Sequence, residues 1–412
     1  MRQRLVTAIA GLMVVLIQAP LGATEAPDPP NAPDVAPEAL VEVRQAGGFD
    51  SATTSIVDDV VRAARAKSTE LHRVTLRLLS VTRGEEIIQQ APVGFGYPML
   101  TSAIDPGAPV LSPDLLAVLR SGDAAMGELT ARLRGAAVGD SIDLESVDGT
   151  IVPLRIGEIV PDADLRWSEV LVGLDSAAAL GIERPFGIVI WGGPAAPLQA
   201  ALRLALPSDA IRISGPVLGS GLSLDGVLPI AMVKERFGEF AVQPTESDAV
   251  IIDPEWFDTW IVTVDLPIVG QTRCHRMVVP YIRAALLQIE HSGLAGILDP
   301  VDFQVAGGCY NPRFNRGADP GYSLSRHSWG IAIDFNPSTN AYGAEPTLPA
   351  SIVDVFRRWG FSWGGGWGVP DGMHFEWSRL PDSYSAECAD LTMIEDPPTN
   401  SWLLAPAAGD CH

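Results

Sequence analysis

Two spacings of apolar residues occur along the chain, and together they predict a mixture of helices and strands. Apolar residues that recur every three or four positions predict helices over residues 54–66, 281–291 and 351–359. Alternating or β-branched runs predict strands over residues 72–81 and within residues 141–160. We therefore expect an α+β fold.

The helix predicted at 351–359 has signals at both of its ends. Ser351 and Asp354 have the spacing of a capping box, and Gly360 follows the last apolar position. We expect this helix to serve as scaffold for the chemistry-bearing strands around it.

The first 23 residues have the pattern of an export signal. Arg2 and Arg4 precede an apolar run from Leu5 to Ile17, and small residues ending at Ala23 offer a cleavage site. Residues 1–23 are therefore predicted to be a signal peptide, with an uncleaved anchor as the alternative. No second long apolar run follows, so we expect no stable membrane insertion after cleavage.

Composition divides the rest of the chain. Residues 24–40 hold five prolines and few apolar residues, which predicts an extended linker. The polar stretch Gln243 to Asp248 marks a domain boundary. We expect a separate α+β N-terminal region of unknown function at 41–240, a second domain at 241–392 and a C-terminal tail at 393–412.

The charge of the chain argues against one class of partner. Its 412 residues include 50 Asp plus Glu against 28 Lys plus Arg, a formal net charge of −22. Such a surface repels a phosphate backbone, and no basic stripe offsets it, so nucleic acid is not an expected partner.

The four cysteines fit an oxidising compartment, because none has the Cys-x-x-Cys spacing of a zinc or redox motif. We favour the pairs Cys274–Cys309 and Cys388–Cys411, the second of which would tether the tail. Four cysteines allow three connectivities, and free buried thiols are a further alternative.

The candidate chemistry lies near the end of the chain. His327 and Asp334 are seven residues apart in Ser325-Arg-His-Ser-Trp-Gly-Ile-Ala-Ile-Asp334, and His374 follows in Asp371-Gly-Met-His374-Phe-Glu376. Zinc sites that hydrolyse substrates use three such ligands and leave a fourth position to water. Strand alternation would put Asp334 on one face of its strand, and His374 and Glu376 on one face of theirs. The pattern therefore predicts a hydrolytic zinc site.

Two further carboxylates flank His374. Asp371 is our candidate general base, since it lies three residues before a ligand and is not needed as one. Glu376 competes for that role, and we favour it as the acceptor that holds His374 or an arginine in place.

Two arginines precede the first ligand. Arg313, and less directly Arg316, can bind a substrate carboxylate or stabilise an oxyanion, while a surface ion pair with Asp302 or Asp319 is the alternative for Arg313.

Other residues near the ligands are interpreted more simply. Ser325 and Trp329, on either side of His327, are candidates for supporting the ligands or contacting substrate. The run from Trp359 to Gly368 predicts either a groove wall or an aromatic core cluster. The remaining histidines are expected to be structural or on the surface: His72, His275, His291 and His412.

At these motifs the chain resembles the D-alanyl-D-alanine carboxypeptidase and L-alanyl-D-glutamate endopeptidase family of zinc peptidases, which includes vancomycin-resistance carboxypeptidases and phage endolysins. The resemblance covers roughly residues 307–377 and rests on Ser-x-His-x-x-Gly-x-Ala-x-Asp and Asp-x-x-His-x-Glu. It implies a peptidase domain with a small antiparallel sheet flanked by helices and Zn²⁺ held by His327, Asp334 and His374. It also implies Asp371 as the base and peptidoglycan stem peptides as substrate.

The chain departs from the family in two respects. In many relatives the substrate-binding arginine lies farther upstream of the first histidine than Arg313 does, and compact members have no counterpart of the N-terminal region. The expected function is an exported zinc metallopeptidase on the cell-wall side of a bacterial envelope, acting as a carboxypeptidase or an endopeptidase. The alternatives are a catalytically silent muropeptide-binding module and an envelope interaction protein that acts through its N-terminal domain.

Overall fold

The computed structural model describes residues 40–45, 49, 51–165, 168–183, 185–206, 211–214, 226–315, 323–367 and 369–381. The predicted signal peptide, nearly all of the Pro-rich linker, Arg316 and the pair Cys388 and Cys411 lie outside these residues. Contacts divide the described residues into two compact units, the first comprising those from 40 to 214 and the second those from 226 to 381. Both units combine helices with strands, which confirms the α+β prediction.

The described strands of the first unit form one mixed sheet. These strands are β1 (Val41–Gln45), β2 (Lys67–Arg83), β3 (Glu86–Gln90), β4 (Tyr97–Ile104), β5 (Ala124–Gly127), β6 (Ser141–Glu145), β7 (Ile151–Val160), β8 (Val170–Gly173), β9 (Pro185–Trp191) and β10 (Ile211–Ser214). Strand β2 pairs in succession with β9, β4, β6 and β3 along its length.

Six of these strands close on themselves as a ring in the order β2, β4, β8, β5, β7, β6 and back to β2. The pairs β4–β8 and β5–β7 are parallel, and the other pairs in the ring are antiparallel. Leu76, Leu78 and Val81 of β2 belong to one buried cluster with Met99 and Ile142. The long alternating strand therefore supplies the core that the ring shares.

The helices of the first unit are α1 (Ser51–Ala63), α2 (Pro113–Arg120), α3 (Glu128–Arg134), α4 (Leu174–Leu180) and α5 (Ala195–Ala205). Helix α1 begins and ends slightly before the predicted range 54–66. It contributes Val57 to the same buried cluster as Leu198 of α5 and Ile188 of β9. The strands predicted at 72–81 and within 141–160 correspond to β2, β6 and β7.

The second unit contains short elements joined by turns. They are α6 (Ile230–Phe237), β11 (Val242–Pro244), β12 (Val250–Ile252), α7 (Pro254–Trp260), β13 (Ile261–Leu266), β14 (Gly270–His275), α8 (Val279–His291), α9 (Pro300–Ala306), β15 (Ala332–Asp334), α10 (Ala350–Arg358), β16 (Phe361–Trp363) and β17 (His374–Trp377). Single 3-10 turns occur at Ala295–Ile297, Arg326–Trp329 and Gly364–Gly366. None of the helices within the described ranges has the length and apolar character needed to cross a bilayer.

Helix α6 packs inside the second unit. The carbonyl oxygen of Phe237 accepts a hydrogen bond from the Trp256 indole at 3.2 Å. The Phe237 ring lies 5.1 Å from the His275 ring and 5.4 Å from the Trp377 ring. The boundary between the two units therefore lies before α6. The sequence analysis placed the domain boundary after this helix, at residue 240.

Three antiparallel strands in the order β15, β17, β16 form the small sheet that carries the candidate site. Helix α10 packs against it through Phe356, whose ring lies 4.6 Å from Phe375 and 5.0 Å from Phe335. Pro349 is the N-cap of α10, without a side-chain hydrogen bond, so the predicted capping box is wrong. Burial of one face stabilises this helix without it.

A disulfide joins Cys274, at the end of β14, to Cys309. This confirms one of the two favoured cysteine pairs.

Candidate metal centre

His327 is held in a tight turn by its neighbours in sequence. It lies in the 3-10 turn Arg326–Trp329, where the Ser325 hydroxyl accepts a hydrogen bond from the His327 amide at 3.3 Å. Gly330 ends the turn with a φ of 66°, a conformation that glycine adopts without strain. A Cβ at Gly330 would lie 2.8 Å from the His275 amide nitrogen, so glycine is also required sterically.

A hydrogen bond at Nδ1 sets the orientation of the His327 ring. Nδ1 lies 2.8 Å from the Cys309 carbonyl oxygen, which can only accept a hydrogen bond. Nδ1 therefore carries the proton, and the Nε2 lone pair faces Asp334 and His374.

Asp334 and His374 are brought together by strand register. They are direct partners in the antiparallel pair β15–β17, and Ala332 opposes Glu376 two residues along. Directly opposed side chains of such a pair project to the same face of the sheet. His374 Nδ1 lies 3.0 Å from Asp334 Oδ1, and its Nε2 lies 3.2 Å from Glu376 Oε2.

Three acceptor atoms converge at this point. His327 Nε2 lies 3.1 Å from Asp334 Oδ1 and 3.2 Å from His374 Nδ1, and all three side chains are buried. Lone pairs that face one another in this way repel unless a cation lies between them. Ligand bonds of about 2.0–2.1 Å in a tetrahedron put ligand atoms about 3.3 Å apart, so the cluster fits zinc with little movement.

The charges at the cluster favour a cation in the same way. Burial alone would lower the pKa of His374, but its hydrogen bonds to Asp334 and Glu376 outweigh burial and raise the pKa to about 10. Burial likewise opposes ionisation of Asp334, but the charges and hydrogen bonds of the two imidazoles, when these rings are protonated, hold its pKa well below the usual range. Surroundings that favour a proton on His374 also favour a divalent ion in its place.

Asp371 lies beside the cluster on the turn before β17. Its amide donates to the Gly364 carbonyl at 2.9 Å, and its own carbonyl accepts from the His374 amide at 3.1 Å. Oδ1 is buried and has no hydrogen-bond partner among the described residues. Burial raises the pKa of Asp371, and the nearby Asp334 charge adds to this, although the charges of His374, His327 and Arg313 oppose it.

Residues 318–377 match the family model described as D-alanyl-D-alanine carboxypeptidase. Over these residues the chain is similar to that peptidase family. Comparison with curated proteins finds no relative that matches the chain. The match supports a peptidoglycan-related peptidase in general, and it contains His327, Asp334, Asp371 and His374.

Arg313 lies shortly before the segment that matches the family model and is hydrogen-bonded to the turn that carries His327. Its amide donates to the Ser328 hydroxyl at 3.0 Å, and its carbonyl accepts from the Ser325 amide at 3.0 Å. Its positive charge lowers the pKa of the Asp371 carboxyl and so opposes the effect of burial. Asp302, one of the two partners considered for a surface ion pair, instead accepts two hydrogen bonds from Ser338.

The other predicted site residues have different environments. Glu376 lies behind His374 as an acceptor, on the side away from the other two ligands. Trp329 is fully buried, packs 4.5 Å from Phe240 and donates to the Gly238 carbonyl, so its ring offers a substrate no access. Arg316 lies outside the described residues.

The tryptophan run contacts both the candidate site and the core. Trp367 lies 5.4 Å from the His374 ring at the site, whereas Trp363 stacks on Phe375 in the core and donates to the Gly372 carbonyl. Gly364 permits this turn, since a Cβ there would lie 2.7 Å from the Asp371 carbonyl oxygen.

Two contributors were missed by sequence reasoning. The Cys309 carbonyl has no signature in sequence, because every residue carries one. Arg326 lies 3.6 Å from Glu376, and its position next to His327 was the available signal.

Proposed function

We propose that this chain is an exported zinc metallopeptidase that hydrolyses peptide bonds of peptidoglycan stem peptides, as a D-alanyl-D-alanine carboxypeptidase or an L-alanyl-D-glutamate endopeptidase. One observation carries the proposal. His327 Nε2, Asp334 Oδ1 and His374 Nδ1, from three segments of the chain, lie 3.0–3.2 Å from one another. The family match over the same segment supports the substrate class.

His327, Asp334 and His374 would hold the zinc ion. When bound, zinc lowers the pKa of water and polarises the carbonyl of the scissile bond. Cys309 and Glu376 would fix the two imidazole rings through the nitrogens that face away from the ion.

Asp371 is the proposed general base. Its unpartnered buried oxygen and raised pKa suit a carboxylate that accepts a proton from the attacking water and later gives it to the leaving amine. Glu376 suits this role less, because it contacts the far nitrogen of His374.

Arg313 is the proposed substrate-binding residue. Its charge acts on Asp371 and its backbone is fixed to the turn that carries His327. A guanidinium held there can bind a peptide carboxylate or stabilise the developing oxyanion. A terminal carboxylate is required in the carboxypeptidase reaction and absent from the endopeptidase reaction.

The proposed location is the cell-wall side of a bacterial envelope. The family's peptidoglycan substrates and the predicted signal at residues 1–23 support it. The proposed partners are therefore wall peptides.

The deciding experiment incubates the full chain with zinc and defined muropeptides and identifies the products by mass spectrometry. Loss of one terminal alanine indicates the carboxypeptidase, and internal cleavage indicates the endopeptidase. A chelator should abolish cleavage. Asp371→Asn should lower kcat about 10²–10⁴-fold, while Asp354→Asn, an exposed carboxylate on α10, serves as the control.

Two outcomes count against the proposal. Full cleavage by Asp371→Asn would remove the base from the mechanism. Binding of zinc and muropeptide without any cleavage would favour the silent binding module.

A further inference from the structure

Behind the candidate ligands, a buried carboxylate lies between two nitrogen groups. Glu376 is 4% exposed, with Oε2 at 3.2 Å from His374 Nε2 and Oε1 at 3.6 Å from Arg326 Nε. The Arg326 side chain is itself mostly buried. The two oxygens therefore face different partners.

Arg326 is fixed from a second direction. Its Nη2 donates to the Leu228 carbonyl at 2.5 Å, and its own carbonyl accepts from the Ile331 amide. The hydrogen bond to Leu228 thus holds the guanidinium in place independently of Glu376. Arg326 also directly precedes His327. The same turn therefore carries the candidate ligand His327 and the guanidinium that faces Glu376.

A buried carboxylate is unfavourable unless opposite charge and hydrogen bonds compensate it. His374 alone would leave Oε1 facing the protein interior without compensation. With Arg326 present, the carboxylate is drawn to one position, and that position sets the angle at which it accepts from His374 Nε2.

We infer that Arg326 is a positioning residue of the metal site, which holds Glu376 against His374 so that His374 Nδ1 points at the cluster. The inference rests on the proposed zinc site. Arg326 touches neither substrate nor ion. Groups that orient ligands in this way commonly change metal affinity about 10–100-fold when they are removed.

The test compares Arg326→Gln, Arg326→Lys and the control Arg358→Gln, an exposed arginine on α10, in the full chain. Zinc dissociation constants are measured by competition with a chromophoric chelator, and Co²⁺ absorption spectra report ligand geometry. Arg326→Gln should weaken zinc binding about 10-fold and alter the Co²⁺ spectrum, with the melting temperature of the metal-free protein close to that of the unmodified chain. Arg326→Lys should restore most of the affinity, and Arg358→Gln should match the unmodified chain.

A double-mutant cycle with Glu376→Gln separates this role from a general loss of packing. If Arg326 acts through Glu376, Arg326→Gln should cost little further zinc affinity in the Glu376→Gln background. Additive losses, unchanged zinc binding in Arg326→Gln, or equal losses in the Lys and Gln variants with a lowered melting temperature would each overturn the inference.

These readouts do not depend on catalysis. If the unmodified chain binds zinc but cleaves no muropeptide, the proposed function fails while the zinc affinities still decide the role of Arg326. If it binds no zinc, both fail.

Discussion

Individual histidines in this chain differ in what their two ring nitrogens face. His327 and His374 each direct one nitrogen to a fixed acceptor and the other into the cluster with Asp334. His275 instead has both nitrogens engaged by backbone, with Nε2 at the Phe237 carbonyl and Nδ1 accepting from the Met277 amide. This neutral, fully bonded ring agrees with the structural role expected for it.

His275 should make the protein less stable in acid. Burial lowers its pKa to about 3, whereas an unfolded imidazole titrates near about 6.5. Between these values the unfolded chain binds the additional proton. The contribution of His275 is therefore complete above about pH 6.5 and declines as the pH falls, by up to about 1.4 kcal/mol per pH unit.

Urea unfolding of the full chain and of His275→Gln between pH 7 and pH 4 measures this contribution. The free energy of unfolding should fall less steeply with decreasing pH in the variant, because it lacks the titrating ring. Equal slopes for the two proteins would contradict the prediction.

Among the elements, the disulfide and the turn at 326–329 act on the same ligand. Cys274–Cys309 joins the end of β14 to the residue whose carbonyl orients His327. The Tyr310 amide adds a hydrogen bond to the Arg273 carbonyl beside it. The covalent link therefore stabilises the fold and the geometry of one imidazole together.

Removing the disulfide should have two measurable effects. Its half-cystines are 35 residues apart, and closing such a loop stabilises a protein by about 3–4 kcal/mol in the chain-entropy model. In the double variant Cys274→Ser/Cys309→Ser, the free energy of unfolding should be lower by that amount. The variant should also bind zinc more weakly. Denaturation and chelator competition check the two effects, and an unchanged zinc affinity would show that Cys309 is held without the link.

At the scale of the whole molecule, those candidate site residues that the structure describes all lie in the second unit. They come from the segments 309–313, 326–334 and 364–376, and the Leu228 carbonyl that fixes Arg326 comes from 226–240. Most of the ten tryptophans lie between Trp256 and Trp377, so indole fluorescence reports mainly on this unit.

Zinc should stabilise the unit that holds the site. Free zinc at about 1,000 times its dissociation constant adds about 4 kcal/mol to the free energy of unfolding, because it binds the folded state alone. The melting temperature followed by tryptophan fluorescence should rise with zinc and fall with a chelator. Asp334→Asn, which lacks one ligand, should show little response, and an equal response in this variant would place the ion elsewhere.

Much of the site was readable from sequence because its chemistry follows local rules. Strand alternation predicted that Asp334 lies on one face of its strand and that His374 and Glu376 share one face of theirs, and the register of β15 and β17 brings Asp334 and His374 together. Helical periodicity located α1, α8 and α10 to within a few residues. Cys274–Cys309, which is present, was one of two pairs that the sequence analysis favoured among the three connectivities open to four cysteines.

Other features were decided only by contacts between distant segments. The ring of six strands, the packing of α6 in the second unit and the burial of Trp329 against Phe240 depend on such contacts. The sequence by itself determined which side chains are candidates for the chemistry, because ligand type and strand period are local properties. The tertiary structure alone decided which nitrogen of each histidine faces the cluster, because the Cys309 carbonyl and the Glu376 carboxylate that orient these rings are set by folding.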